Sequence, residues 1–293
     1  MDGVSARALA SPPPARLLAL ALKRALEKIG LAFAVAVIVS PAILVFLWML
    51  SLSFKTEIEN VDYPPVFIPH TPTLDNFRQV FEASPFFHFL LNSIVVTGSA
   101  TLLALAVGIP AGYGIAKAKA YKVAVLVLIA RITPNLSYLI PLFILFRYLG
   151  LTGTLWPLMI THLVITVPIV VWVMIGFFES LHPDLEEAAL IDGCTLWQAF
   201  RYIALPLSRP GIVVAAILAF IFSWNNFIFG VVLAGRETRT LPVAVYNVLT
   251  FEQLSWGPLA AAAIVVTLPV LILTVAIQRE IVGGLTAGGI KGG

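Results

Sequence analysis

Few residues within the apolar stretches of this chain could do chemistry, and most of them are uncharged. Two long apolar stretches contain six such side chains: Arg131, Thr133, Asn135, Trp224, Asn225 and Asn226. Guanidinium and amide groups are costly inside a bilayer, so their presence there suggests a function. An indole face beside amide donors and acceptors suits a sugar, whose CH face stacks and whose hydroxyl groups donate and accept. The same side chains could instead pair with helix carbonyls or join neighbouring helices.

Other chemistries have little support in the sequence. His162 has no nearby carboxylate or second histidine, which argues against an intramembrane hydrolase. Cys194 is the only cysteine, so an internal disulfide and a cysteine-built metal site are excluded. No glycine–lysine pair is followed by serine or threonine, so the chain has no P-loop for ATP. We therefore expect no catalytic residue, no metal and no cofactor.

The composition indicates the environment that must position these groups. Hydrophobic residues make up 60% of the 293 residues, charged residues only 11%, and the mean hydropathy is +0.99. A soluble domain carries about 25% charged residues, so this chain could not cover its surface for water. In lipid every backbone amide must be satisfied internally, which favours a helical bundle. The net charge of +3 gives nucleic-acid binding little support.

A membrane span needs roughly 20 apolar residues, and six stretches meet that length. They lie near residues 31–54, 89–116, 123–148, 155–178, 211–233 and 259–277. The sequence therefore predicts an all-α integral membrane protein with six transmembrane helices. Gly108 and Gly112, spaced as in Gly-x-x-x-Gly, are expected to permit close helix packing. Asn92 and Ser93 are expected to bond backbone or a neighbouring helix, and His162 to be a packed or hydrogen-bonded helix residue.

Lysine and arginine counts predict the orientation. With the N-terminus in the cytoplasm, the cytoplasmic segments hold more than twice as many lysine and arginine residues as the external ones. Both termini are then cytoplasmic. The predicted divisions are a cytoplasmic N-terminal segment 1–30, a transmembrane domain 31–281 and a cytoplasmic C-terminal tail 282–293. The acidic first external loop could contact a delivering partner or could simply be solvated.

One polar segment, residues 179–210, separates the fourth and fifth predicted spans. Pro183 suits the first position of a helix, and Gly193 can adopt the left-handed conformation that ends it. Thr195 and Gln198 have the spacing of a capping box that starts a second helix. That helix is expected to stop before Pro206. Such a water-exposed pair of helices between two spans could transmit a displacement to both.

The same segment carries a family resemblance. Its pattern reads Glu187-Ala188-Ala189-x-x-Asp192-Gly193, then Ile203-x-Leu205-Pro206. This pattern resembles the signature loop of bacterial ABC-importer permeases, with Cys194 where that family usually has alanine. The resemblance implies a cytoplasmic coupling helix seated in a cleft of an ATPase subunit. Glu187 and Asp192 would anchor the turn, Ala188 and Ala189 would fit the cleft, and Gly193 would permit the bend. The alternative is an ordinary amphipathic loop helix.

A finer resemblance is to maltose-type sugar permeases. Phe222-Ser-Trp224-Asn225-Asn226-Phe227 is similar to a motif of that subfamily, in which an acid often stands at the position of Asn226. The C-terminus is also similar, through Gly284, Leu285, Thr286, Gly288 and Lys291. In the maltose system this tail reaches between two ATPase subunits, and the resemblance implies the same contact here. A flexible terminus is the alternative.

The resemblance implies a complete assembly around the chain. The partners would be a second, related permease, two ATPase subunits and an extracytoplasmic solute-binding protein, in the lipid of a bacterial cytoplasmic (inner) membrane. The chain would form half of a pathway for a sugar, polyol or related solute; the solute itself is not readable. The rival interpretation is a secondary transporter or channel driven by an ion gradient. That rival predicts buried carboxylates, and none falls within the six spans.

Overall fold

The computed structural model describes residues 14–250 and 255–289, and these residues form helices joined by short connections. The fourteen α-helices of the described residues are α1 (Pro14–Ser53), α2 (Glu57–Asn60), α3 (Asp75–Ala83), α4 (Phe86–Lys117), α5 (Tyr121–Ile132), α6 (Asn135–Tyr148), α7 (Trp156–Ser180), α8 (Pro183–Ile191), α9 (Leu196–Ala199), α10 (Leu205–Leu207), α11 (Arg209–Trp224), α12 (Ile228–Leu233), α13 (Leu241–Thr250) and α14 (Trp256–Gly289). A π-helical turn, Phe200–Ala204, joins α9 to α10.

Helix length and apolar composition identify the membrane-spanning elements. Within the described ranges, four helical stretches are long and apolar enough to cross a bilayer: Leu26–Ser53, α4, α7 and Trp256–Val275. Two further helix pairs qualify only if each is counted as one broken span, which raises the total to six: α5 with α6, bent by 82°, and Leu196–Leu207 with α11, bent by 76°. The described residues therefore form only helices, and their four to six candidate spans indicate a multi-pass membrane protein. Helices α2, α3 and α13 are short elements that the hydropathy pattern does not predict.

The third and fifth predicted spans are not single straight helices. Helices α5 and α6 meet at 82° across Thr133 and Pro134, and α11 ends at Trp224, with α12 beginning at Ile228. Pro134 has no N–H to donate, which weakens the helix at this point. Non-helical backbone is tolerated at membrane depth where it lines a cavity or is covered by protein.

The close packing of α4 against α7 forms the centre of the bundle. A Cβ atom built at Gly108 would lie 2.7 Å from Val170 Cγ1, and one at Gly112 would lie 2.9 Å from Met174 Cβ. The two glycines therefore let the helix backbones approach, which confirms the prediction from their spacing. Helix α11 packs against both α4 and α7, and Ala104, Val170, Phe178 and Ala215 share one buried cluster there.

Polar side chains of α4 bond the backbone that precedes and begins α13, at the end of the bundle where the loop between α1 and α3 also lies. Asn92 Nδ2 donates hydrogen bonds to the carbonyl oxygens of Glu237 (2.8 Å) and Arg239 (3.0 Å), and Ser93 Oγ accepts one from the N–H of Leu241 (2.7 Å). These contacts confirm the predicted roles of Asn92 and Ser93.

The loop after α1 is packed against the body of the protein. The Glu57 carboxylate accepts hydrogen bonds from the N–H groups of Trp256 (3.1 Å) and Gly257 (3.4 Å), at the start of α14. Asn76 Nδ2 donates to the carbonyl oxygens of Ser53 (2.9 Å) and Lys55 (2.7 Å). The loop is therefore joined to both α3 and α14.

Candidate functional site

Local sequence signals determine where α8 begins and ends. Pro183 occupies its first turn, and Asp184 and Glu186 lie near its positive N-terminal end. Gly193 has a φ of +88°. Its N–H donates to the carbonyl oxygen of Leu190 (3.1 Å), and the N–H of Cys194 donates to the carbonyl oxygen of Ala189 (3.0 Å). This is the Schellman pattern that terminates helices, and it confirms the predicted use of Gly193.

The second helix of the segment begins as predicted but does not end as predicted. Thr195 Oγ1 accepts from the N–H of Gln198 (3.3 Å), and Gln198 Oε1 accepts from the N–H of Thr195 (2.7 Å), which completes the capping box. The predicted stop before Pro206 is wrong, because helical structure continues through Leu207. The N–H of Leu205 bonds to the carbonyl of Phe200, five residues back. This wider, π-helical turn lies directly before Pro206. Proline has no backbone N–H and therefore donates no helical hydrogen bond.

The surface of α8 that faces solvent carries most of the family signature. Glu187, Ala188 and Asp192 are exposed, whereas Ala189 is only 7% exposed and packs against the protein. The structure therefore separates the two alanines that were expected to share one role. Leu205 is half-buried beside α7 and α11, and Pro206 is exposed. Apolar side chains extend this surface, since Ile191, Leu196 and Trp197 are all more than half exposed.

Glu186, whose sequence position indicates only an acid near the positive end of a helix, is the buried acid of this segment. One of its carboxylate oxygens lies 2.7 Å from Lys117 Nζ and accepts a hydrogen bond from the Tyr113 hydroxyl (2.8 Å). Its side chain is 6% exposed. The signal that could have found it is the pair of adjacent acids, since neighbouring residues of a helix point in different directions. The choice between Glu186 and Glu187 depends on where α4 lies.

A cavity of about 520 Å³ lies between the junction of α5 with α6 and the junction of α11 with α12. Its polar lining comes from four predicted residues: Arg131, Asn135, Asn225 and Asn226. Apolar side chains of α7 and α11 complete it: Val164, Ile165, Ile221 and Phe222. The cavity is therefore amphipathic, with the polar groups at the helix ends.

The four polar residues of the cavity lie at or next to the ends of helices. Arg131 is exposed in the last turn of α5, and its guanidinium carbon lies 5.1 Å from the centre of the Phe222 ring. Asn135 is the first residue of α6. Asn225 Nδ2 donates to the carbonyl of Ile221 (3.0 Å), and Asn226 Oδ1 accepts from the N–H of Phe229 (3.2 Å). These two hydrogen bonds engage only the Nδ2 of Asn225 and the Oδ1 of Asn226, and among the described residues the other end of each amide can bond a polar solute.

Two residues expected beside the pathway lie elsewhere. Thr133 Oγ1 donates to the carbonyl of Ile129 (3.1 Å) at the end of α5 and does not line the cavity. Trp224 is 1% exposed, stacks on Phe220 and donates from Nε1 to the carbonyl of Val266 (3.0 Å). Its indole face is occupied by protein, because the side chain points into the packed core between α11 and α14.

His162 is a packed helix residue, as predicted. Its side chain is 2% exposed, and Nδ1 lies 2.8 Å from Ser223 Oγ. At the C-terminus, α14 continues through Gly284, Leu285, Thr286 and Gly288 to Gly289. Lys291, the last residue of the expected tail contact, lies outside the described residues.

Residues 104–283 match the protein family described as binding-protein-dependent transport system inner membrane component. The chain is 37% identical over 250 residues to the sulfoquinovosyl glycerol transport system permease protein SmoH of Agrobacterium fabrum, covering 84% of this chain and 88% of that one. It is 37% identical over 262 residues to the trehalose transport system permease protein SugB of Mycobacterium tuberculosis, covering 87% and 94%. It is 31% identical over 280 residues to the trehalose/maltose transport system permease protein MalG of Thermococcus litoralis, covering 92% and 98%.

Solved structures share the fold. A chain of a bacterial ABC transporter involved in the import of the acidic polysaccharide alginate superposes with a TM-score of 0.68 at 19% identity, over 92% of this chain and 98% of that one. A chain of the MetNI methionine ABC transporter superposes with a TM-score of 0.55 at 20% identity, over 68% and 97%.

Proposed function

Because the chain belongs to the family of binding-protein-dependent transport system inner membrane components, we propose that it forms half of a translocation pathway for a sugar, polyol or related solute. It is the permease subunit of an importer and not itself an enzyme, since ATP is hydrolysed by partner subunits. Family membership replaces the interpretation as an ion-gradient-driven transporter. The carbohydrate class is supported by relatives named for trehalose and for sulfoquinovosyl glycerol transport.

The proposed topology has six spans. They are α1, α4, the α5–α6 pair, α7, α11 extended by α12, and α14. The lysine and arginine distribution supports a cytoplasmic location for both termini and for the loop that contains α8.

The observation that carries the proposal is the exposed face of α8. This face exposes Glu187, Ala188 and Asp192 to solvent. Local hydrogen bonds form at both ends of the helix, and Glu186 and Ala189 on its other side are buried. A rigid, small-residue surface beside the apolar side chains of Ile191 and Trp197 suits a cleft on another protein. We assign this face to an ATPase subunit. Leu205 and Pro206 join it to the fifth span.

The cavity is the proposed solute pathway. Arg131, Asn135, Asn225 and Asn226 supply hydrogen-bonding groups, and Phe222 supplies an apolar face. This combination suits a solute with both hydroxyl groups and CH faces. A second permease would supply the other half of the pathway, and a solute-binding protein would deliver the solute. The helical end of α14, from Gly284 to Gly288, would contact the ATPase subunits together with Lys291.

The ATPase-docking assignment is tested by site-directed cross-linking. Cys194 is replaced by serine, and a single cysteine is introduced at Ala188 or, as the control, at Tyr148, which lies at the other end of the bundle. We expect the Ala188→Cys chain to cross-link to an ATPase subunit in the assembled, active complex, and Tyr148→Cys to give no such product. An active complex in which the Ala188→Cys chain forms no cross-link to an ATPase subunit would overturn the assignment.

A further inference from the structure

Glu186 is a buried carboxylate in a segment that is otherwise largely exposed. It lies on α8, next to Glu187, yet its side chain is 6% exposed and turns towards α4. There it contacts Lys117 Nζ (2.7 Å) and the Tyr113 hydroxyl (2.8 Å), which lie one helical turn apart on the last turns of α4. We refer to Tyr113, Lys117 and Glu186 as the Glu186 cluster.

Tyr113 connects more than two segments. Its ring centre lies 5.2 Å from that of Phe178, near the end of α7, and 4.7 Å from that of Phe200, the first residue of the π-helical turn. Its hydroxyl donates to Glu186 on α8. One side chain of α4 thus contacts the end of the fourth proposed span and both halves of the cytoplasmic segment.

The physical chemistry of the cluster makes separation of α8 from α4 unfavourable. A carboxylate removed from water requires charged or hydrogen-bonding partners, and losing one leaves an uncompensated charge. Charge-assisted hydrogen bonds are also stronger and more directional than neutral ones. When α8 is displaced, the cytoplasmic end of α4 must therefore follow or the cluster must break.

The bundle continues this connection towards the cavity. Helix α4 is in backbone-to-side-chain contact with α7 at Gly108 and Gly112. Helix α7 in turn supplies Val164 and Ile165 to the cavity wall. Tightly packed helices thus connect the end of α4 with the proposed solute pathway.

We propose that the Glu186 cluster carries the displacement of α8 to α4 and so couples ATP hydrolysis to solute movement, a role distinct from docking of the ATPase. The proposal rests on the assignment of α8 as the ATPase-docking helix. It divides the two adjacent acids between functions: Glu187 faces the partner, and Glu186 faces the membrane domain.

The test measures solute transported per ATP hydrolysed in the complete complex, reconstituted in vesicles with its binding protein. The variants are Glu186→Gln, Lys117→Met and Tyr113→Phe, and the matched control is Asp184→Asn, an exposed acid on the same helix. Glu186 is buried whereas the Lys117 side chain is 43% exposed, so the ion pair is partly screened by water. We therefore expect Glu186→Gln and Lys117→Met each to lower the ratio severalfold. Tyr113→Phe removes one hydroxyl and is expected to lower the ratio less. Co-purification of ATPase subunits should stay at the wild-type level in all four.

Charge reversal tests whether the ion pair itself is required, while the ratio of solute transported to ATP hydrolysed separates coupling from a merely structural role. Lys117→Glu and Glu186→Lys should each lower the ratio, and the double variant should recover part of it because the ion pair forms in reverse. Three results would overturn the proposal: a wild-type ratio in Glu186→Gln, loss of ATPase co-purification in that variant, or no recovery in the double variant. Failure of the docking assignment is recognised separately, since the Ala188→Cys cross-link in otherwise wild-type complex would then be absent.

Discussion

The indole N–H of Trp224 donates a hydrogen bond to the carbonyl oxygen of Val266 at 3.0 Å and thereby joins α11 to α14. Its ring also stacks on Phe220, with the ring centres 5.5 Å apart. A tryptophan within a motif shared with sugar permeases invites a solute-binding role, but here the side chain is in the core. Its removal should therefore change stability first.

We expect Trp224→Ala to lower the free energy of unfolding by about 3–5 kcal/mol, the usual cost of truncating a buried aromatic side chain. Thermal unfolding of the detergent-solubilised protein measures the change. The matched control is Trp172→Ala, because Trp172 is 51% exposed on α7 and should cost much less. Equal unfolding temperatures for the two variants would contradict the assignment of Trp224 to the core.

Gly108 should tolerate no side chain. A Cβ atom there would lie 2.7 Å from Val170 Cγ1, so Gly108→Ala is expected to destabilise the protein by about 1–3 kcal/mol through overpacking. Gly98→Ala on the same helix is the control, because a Cβ atom at Gly98 meets nothing within 4 Å. Alanine there should be neutral or stabilising by up to about 1 kcal/mol, since it has the higher helix propensity. The unfolding temperature should thus fall for Gly108→Ala and stay unchanged or rise for Gly98→Ala.

Gly193 should be replaceable by asparagine but not by proline. Its φ of +88° is incompatible with the proline ring, which fixes φ near −65°. Gly193→Pro also removes the N–H that bonds the carbonyl of Leu190. We expect this variant to insert into the membrane but to lose uptake.

Asparagine enters the left-handed region more readily than other side chains. Gly193→Asn should therefore retain most of the uptake, measured in vesicles at matched protein levels. Full uptake by Gly193→Pro would show that the end of α8 does not need this turn.

Arg131→Gln should impair transport without affecting assembly. Hydrogen bonds from a charged group contribute about 1.5–3 kcal/mol, so the loss should lower uptake about tenfold or more if Arg131 bonds the solute in the cavity. Arg147→Gln is the matched control, since Arg147 lies in the last turn of α6, outside the cavity lining. The solute used is the one that stimulates ATP hydrolysis by the complex. Equal uptake by both variants would remove Arg131 from the pathway.

The sequence predicts well those features that depend on a few neighbouring residues. Pro183, Gly193 and the Thr195–Gln198 pair correctly indicate where α8 begins and ends and where α9 begins, because helix ends are satisfied by local hydrogen bonds. The glycine spacing on α4 likewise predicts a close helix contact, although it does not identify α7 as the partner.

Features that depend on a distant segment are not predictable in this way. Proline lies inside continuous helices at Pro110, Pro168 and Pro269, whereas the chain bends by 82° at Thr133–Pro134. The proline alone does not distinguish these outcomes, since they depend on what covers the freed carbonyl groups. The burial of Glu186 has the same origin. Its partners Tyr113 and Lys117 are more than sixty residues away along the chain.

Helix α14 is a continuous rod of 34 residues, from Trp256 to Gly289. At about 1.5 Å per residue its length is about 50 Å, well beyond the roughly 30 Å of hydrocarbon in a bilayer. In the proposed topology its last turns therefore project beyond the hydrocarbon as a continuation of the sixth span. One residue inserted near Ile277 would rotate everything beyond it by about 100°, so that a partner bound to these turns would meet a different face of the helix.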